Sequence, residues 1–270
     1  MPTAIPEYRT APDQLPARVV GPWVERKVHY VDRYAGIFAT GMKKWAHRGY
    51  VELFAGPGIS YDRGHHQFID GSALRALSMN FTHWAFVDLD PVAAGALGKR
   101  VAARGRQVTA SVFQGDCNDA IPQIRAAIPA DALTLAFVDP TNWQVKLSTI
   151  AALVESRRVD LLMTFHYGSM VRVGHLTDCN LDEFFGTGTW RDALQKPRHE
   201  RLDALLGLYN QKLGELGYLS SSSLRVPVKN TKGRVIYDLV LFSRHERGVD
   251  FWQKAINGPD ESGFRGFWDL

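Results

Sequence analysis

Two periods organise the apolar residues of this chain. Trp23, Val24, Val28, Val31, Tyr34, Ala35, Phe38 and Trp45 fall at three- and four-residue steps, which predicts an amphipathic helix over 23–45. From residue 50 onward short apolar runs alternate with helical stretches. Strands are predicted over 50–54, 84–87, 108–113, 133–138 and 159–165, and helices over 73–79, 92–104, 120–128 and 147–156. A strand, a polar tip and a helix, repeated, is the layout of a doubly wound α/β sheet, whose ligands sit at the carboxyl ends of the strands.

The alternation stops after His166. Residues 167–197 are polar and glycine-bearing and read as an insertion outside the sheet. A helix over 198–216 follows, with Leu202, Leu205, Leu206, Tyr209, Leu213 and Leu216 on one face. Strands over 224–228 and 234–242 flank Lys229-Asn230-Thr231-Lys232-Gly233, a hairpin signal. A sheet of parallel strands closed by a C-terminal antiparallel hairpin, with an inserted helical or irregular segment, is the Rossmann-like class I methyltransferase arrangement; nicotinamide dehydrogenases lack the hairpin. The expected units are an N-terminal arm and long helix (1–48), a cofactor-binding core (49–166), the insertion with its helix (167–220) and the closing hairpin (221–270). Residues 1–21 read as an extended arm. The polar stretch Tyr61 to His66 is longer than a usual strand-to-helix turn and reads as a lid. Ser72 is expected to cap the helix after it.

Composition adds little that is specific. Of 270 residues, 45% are hydrophobic and 22% charged, so the chain can bury a sizeable core. The net charge of +4 permits a nucleic-acid partner without demanding one. Cys117 and Cys179 stand far apart, which fits a reducing compartment and offers no metal cluster. No basic-then-apolar leader and no apolar run of roughly 18 residues occurs, so a cytoplasmic protein without a membrane partner is expected.

The candidate chemistry lies at the strand tips. Glu52 and the turn Phe54 to Gly58 can hold an aminoacid-bearing nucleoside, the carboxylate attracting an ammonium while Gly56 and Gly58 let the backbone approach. Asp88 ends the second strand, where an acid can accept from both ribose hydroxyls; Asp90 competes for that role, its other use being to cap the next helix. Asp116 is placed to accept from an adenine amino group, with the Cys117 amide donating to the ring; the alternative is a plain turn acid. The Cys117 thiol reads as a small buried group and not a nucleophile. Asp139 and Pro140 end the fourth strand, where the carboxylate or the proline carbonyl can orient an acceptor amine toward an activated methyl; Asp139 as a turn cap is the alternative. His166 and Tyr167 end the fifth strand as a second polar contact. Arg63 and the cluster from Lys196 to Arg201 are the basic groups best placed for phosphate.

With these residues in view, nearly the whole chain resembles the three-Cys-motif partner protein (TcmP) family, a group regarded as S-adenosylmethionine-dependent methyltransferases. The resemblance rests on Lys27 and Tyr30, Glu52 to Gly58, Gly71-Ser72, Phe86-Val87-Asp88, Gly115 to Asn118, Ala136 to Pro140, Val159 to Leu162, Asp182 to Gly186 with Trp190, Tyr209 with Leu213 and Gly217-Tyr218, and Tyr237-Asp238-Leu239. It implies S-adenosylmethionine as cofactor and a radical-SAM-like partner protein with three clustered cysteines. It also implies Glu52, Gly56, Gly58, Asp88 and Asp116 at the cofactor and Asp139 at the acceptor, with nucleic acid or a nucleotide-derived group as the expected acceptor. One departure is visible: base-directed amino-methyltransferases carry an aromatic residue two places after the proline of Asp-Pro-Pro-aromatic, and Thr141 and Asn142 stand here instead, leaving Trp143 or Tyr167 to supply a stacking face.

Overall fold

The computed structural model describes residues 6–106, 109–173, 180–219 and 224–257. Two short strands come first, β1 (Tyr8–Thr10) and β2 (Pro16–Val20), followed by α1 (Trp23–Gly41) and β3 (Arg48–Glu52). The hairpin β4 (Ile59–Asp62) and β5 (Gln67–Asp70) precedes α2 (Ser72–Leu77). The alternation then runs β6 (His83–Asp88), α3 (Pro91–Ala103), β7 (Ala110–Gln114), α4 (Ile121–Ala127), β8 (Leu133–Val138), α5 (Leu147–Val154) and β9 (Arg158–Phe165). Four helices follow, α6 (Tyr167–Val173), α7 (Leu181–Phe185), α8 (Trp190–Gln195) and α9 (Arg201–Gly214), before β10 (Arg225–Lys229), β11 (Val235–Phe242) and α10 (Glu246–Asn257).

The main sheet has the order β10-β11-β9-β8-β3-β6-β7. Strands β3, β6, β7, β8 and β9 are parallel, and β11 enters antiparallel between β9 and β10. This is the class I methyltransferase strand order, with a topological switch at β3. Successive residues of each central strand point to opposite faces, and the chain fills both with apolar groups. On β8, Leu135 and Phe137 join α1, α2, α3 and α10 in one core, while Ala136 and Val138 join α4, α5 and α7 to α9 in the other. The result is a three-layered α/β/α body.

Four expectations change. The first helix ends at Gly41, where a Cβ would meet the Phe251 ring at 2.6 Å; Trp45 lies beyond it, 39% exposed, under the Arg158 guanidinium. The N-terminal arm and the loop after Gly58 are strands: β2 pairs in parallel with β4, giving a second sheet of order β1-β2-β4-β5. Ser72 is the first helical residue of α2 behind an extended Gly71, and its hydroxyl bonds Glu52 instead of the helix amides. α10 escaped notice, although Gly248, Trp252 and Ala255 form its buried face. Cys179 and part of the 167–197 stretch fall outside the described residues.

Candidate functional site

A cavity of about 810 Å3 opens at the carboxyl ends of β3, β8 and β9, within the usual range for small-molecule sites. Its floor is Glu52, Phe54 to Gly58, Asp139 to Thr141 and His166; its walls are the start of α1, including Trp23 and Lys27, and Thr231, Ile236 and Tyr237 of the closing hairpin. The small sheet forms the roof, with Glu7, Arg18, Val20, Ser60 and Arg63 facing it.

The floor begins with the turn after β3. Gly56 and Gly58 have φ of 62° and 88°, values that side chains other than glycine rarely adopt. A Cβ on Gly58 would also strike Leu74 and Leu97 at 2.9 Å. The Gly56 amide donates to Asp88 Oδ2 at 2.7 Å, so the acid at the tip of β6 fixes the turn. The other Asp88 oxygen accepts from the Asp90 amide at 2.9 Å. An ionised carboxylate has roughly four acceptor sites, so two such bonds leave capacity for a ligand. Asp90 caps α3 by accepting from the Val92 amide at 2.8 Å, and Tyr8 of the arm donates to it at 2.6 Å. That resolves its sequence alternatives toward a structural use.

Asp116 is exposed at the tip of β7 and accepts from both nitrogens of Asn118 at 2.8 Å. Cys117 is 4% exposed, and burial pushes its thiol up to about 12, leaving no reactive thiolate. Asp88, Asp116 and Cys117 do not line the cavity; they continue the same rim beside it. The rim therefore divides into a cavity at β3, β8, β9 and β11 and an open ledge at β6 and β7.

Inside the cavity the ionisable groups are buried and interdependent. Lys27, on the first turns of α1 just ahead of its apolar face, forms an ion pair with Asp139 Oδ2. Thr164 donates to Asp139 Oδ1 at 2.9 Å. Burial is the largest influence on Lys27 and disfavours its ammonium, but Asp139, Tyr237 and Glu52 together more than offset it and hold the group protonated. Glu52 is 1% exposed and accepts from Ser72 at 2.5 Å and Tyr50 at 3.1 Å. Burial, reinforced by Asp139, pushes its carboxyl up to about 8 despite those bonds. Burial pushes His166 down to about 4, so its imidazole is neutral at physiological pH, and its Nε2 lies 3.4 Å from the Thr164 hydroxyl. Its ring lies 4.9 Å from that of Tyr237. The Tyr237 hydroxyl is buried and, among the described residues, has no hydrogen-bond partner.

Sequence reasoning thus missed three groups. Lys27 and Tyr237 carried a signal only through their places in the family pattern; of the roof residues only Arg63 was marked, because a strand position says nothing of what lies across a cavity. Trp143 and Tyr167 pack against the core, leaving Trp23, Phe54 and Tyr237 as the cavity's aromatic faces. Arg63 lines the cavity and pairs with Glu7, whereas Lys196 to Arg201 do not line it. Glu25, Asp62 and His65 are the one ligand-type cluster among the described residues, and Asp62 is satisfied by His65 and the Gly64 amide. No described helix is long and apolar enough to cross a membrane.

No family model matches this chain, and no curated protein does. Among solved structures, an O-methyltransferase from Bacillus cereus in complex with SAH matches at 12% identity, covering 83% of this chain and 82% of its own, with a TM-score of 0.49. The O-methyltransferase TomG from Streptomyces achromogenes in complex with SAM matches at 13% identity, 81% and 78% coverage and a TM-score of 0.47. A putative RNA methyltransferase from Pyrococcus horikoshii matches at 13% identity, 82% and 88% coverage and a TM-score of 0.43. The fold assignment rests on the strand order of the chain itself.

Proposed function

We propose that this chain binds S-adenosylmethionine across the divided rim and is a methyltransferase acting on a group held in the cavity. The observation that carries the reading is the positive-φ Gly56–Gly58 turn at the switch strand, fixed by Asp88 and opening on a cavity with Glu52 and Asp139. The residues fit the cofactor: glycine amides and Glu52 suit the aminoacid portion, the spare acceptor sites of Asp88 suit a ribose, and Asp116 on the open ledge suits a base. Bound there, the cofactor supplies a methyl group on a sulfonium.

The chain's own part is positioning and exclusion of water. The roof and the α1 wall shield the floor, and the Lys27–Asp139 pair holds a fixed charge arrangement beneath it. The acceptor is a nucleotide-derived group that enters singly, since a roofed cavity of this size does not admit a duplex. A radical-SAM-like protein with three clustered cysteines is the proposed partner, supported by the family resemblance of the motifs from Lys27 to Leu239.

A second reading is an accessory subunit that holds cofactor for that partner. It is favoured by one observation: the Asp139 carboxylate, expected to orient an acceptor amine, already accepts from Lys27 and Thr164. Calorimetric titration with S-adenosylmethionine and S-adenosylhomocysteine, with a nicotinamide dinucleotide as control, tests the first reading. Micromolar binding of the two sulfur compounds alone is expected; preference for the dinucleotide overturns it. Binding without transfer to any acceptor selects the accessory role.

A further inference from the structure

The acids of the floor are already engaged by neighbouring donors. Asp139 is paired on both oxygens, and Glu52 is bonded on both. What remains unsatisfied is a donor. The Tyr237 hydroxyl is buried on the cavity wall without a partner among the described residues, at a cost that an oxygen acceptor would remove. Burial keeps that phenol protonated, and Lys27 stands near enough for its charge to act on it. Lys27 itself has three N–H donors, of which the Asp139 contact uses one.

The wider charge pattern agrees. Arg18, Lys27 and Arg63 line the cavity against Glu7 and Asp139, while Glu52 at about 8 is mostly protonated near neutrality. A bound sulfonium cofactor would add positive charge to this balance. Trp23, Phe54, Pro140 and Ile236 provide apolar walls.

We propose that the Lys27–Tyr237 end of the cavity receives the acceptor molecule through a carboxylate, with Tyr237 Oη and Lys27 Nζ as its donors. The placement rests on the cofactor site proposed above and narrows the acceptor to a molecule, nucleotide-derived or smaller, that bears a carboxylate. It also suits the proton inventory: His166 at about 4 is a poor base and Asp139 is held by Lys27. A carboxylate needs no base, because one of its lone pairs forms the new O–C bond, the C–S pair leaves with the sulfur, and no proton is lost. The product would be a methyl ester.

The test is a titration of the full chain saturated with S-adenosylhomocysteine, using three probes of one shape: benzoate, benzamide and benzylamine. Benzoate is expected to bind at least tenfold more tightly than the other two. Tyr237→Phe, which removes a hydroxyl that holds nothing in the fold, should cost about tenfold in benzoate affinity and leave S-adenosylhomocysteine affinity within twofold, at an unchanged melting temperature. Equal or tighter binding of benzylamine overturns the proposal, as does an unchanged benzoate affinity in Tyr237→Phe. A parallel loss of S-adenosylhomocysteine affinity in that variant overturns it too, since Tyr237 then belongs to the cofactor site. If the wild-type chain binds no S-adenosylhomocysteine, the methyltransferase reading fails, and benzoate titrated alone decides the anion site: Tyr237-dependent binding sustains it and no binding ends it.

Discussion

Asp88 and Asp139 end neighbouring parts of one sheet, yet their surroundings assign them opposite work. Asp88 sits on the ledge side, receives only neutral backbone amides, and fixes the glycine turn and the entry to α3. Asp139 sits on the cavity side against a lysine from another layer, within a set of buried groups that includes Glu52 and His166. A strand-tip acid facing amides organises backbone; one facing a buried cation organises charge. The same residue type at the same kind of position therefore predicts location and not role.

The largest way to break this contrast is Lys27→Met. It leaves Asp139 in the cavity floor without its cation, and a loss of about 3 kcal/mol in stability is expected by urea denaturation. Lys27→Met combined with Asp139→Asn should recover more than half of that; failure to recover would mean that the pair is not a unit. Next comes the pH profile of Glu52. Its carboxyl is raised in the folded state, so the folded chain holds a proton that the unfolded chain releases above about 4.5. The stabilisation is complete below that pH and is lost as pH rises toward 8, by about 1.4 kcal/mol per unit at most and about 5 kcal/mol at most in all. Glu52→Gln should flatten the decline, and an equal slope in the variant would place the linked group elsewhere.

On the ledge side the effects are smaller. Asp88→Ala should cost about 1–3 kcal/mol by freeing the Gly56 and Asp90 amides, and should weaken S-adenosylhomocysteine binding at least tenfold. Asp88→Asn, which keeps acceptor oxygen, should restore part of both; a loss of binding with full stability would show that the ribose alone depends on it. Asp116→Ala is the smallest, under about 1 kcal/mol in stability for an exposed turn, with any larger change confined to cofactor affinity.

The main sheet was legible because its signal is local and repeated. Five apolar runs with helices between them, and a hairpin marked by Asn230 and Gly233, suffice to find seven strands and to expect a parallel core with an antiparallel closing pair without knowing any contact. The small sheet was not legible. Its strands span only Tyr8–Thr10, Pro16–Val20, Ile59–Asp62 and Gln67–Asp70, too short for a period, and Pro16 and His65-His66 read as loop. Pairing between β2 and β4 is a tertiary fact. In the same way Glu52 could be found from its strand, but its protonation could not, because Ser72, Lys27 and Asp139 reach it from other elements.

The roof has a consequence for how the site comes into being. Tyr8 is fastened to Asp90, and the buried Arg100 grips Asp13, the carbonyls of Leu15 and Pro16, and that of Pro57. The cavity is thus closed by contacts between the start of the chain and segments made well after it, contacts that any folding nucleus formed from neighbouring strands would leave for last. A ligand that needs the roof senses only the finished molecule, so its binding would serve as a gauge of completed folding and would draw partly assembled chains toward that state by mass action.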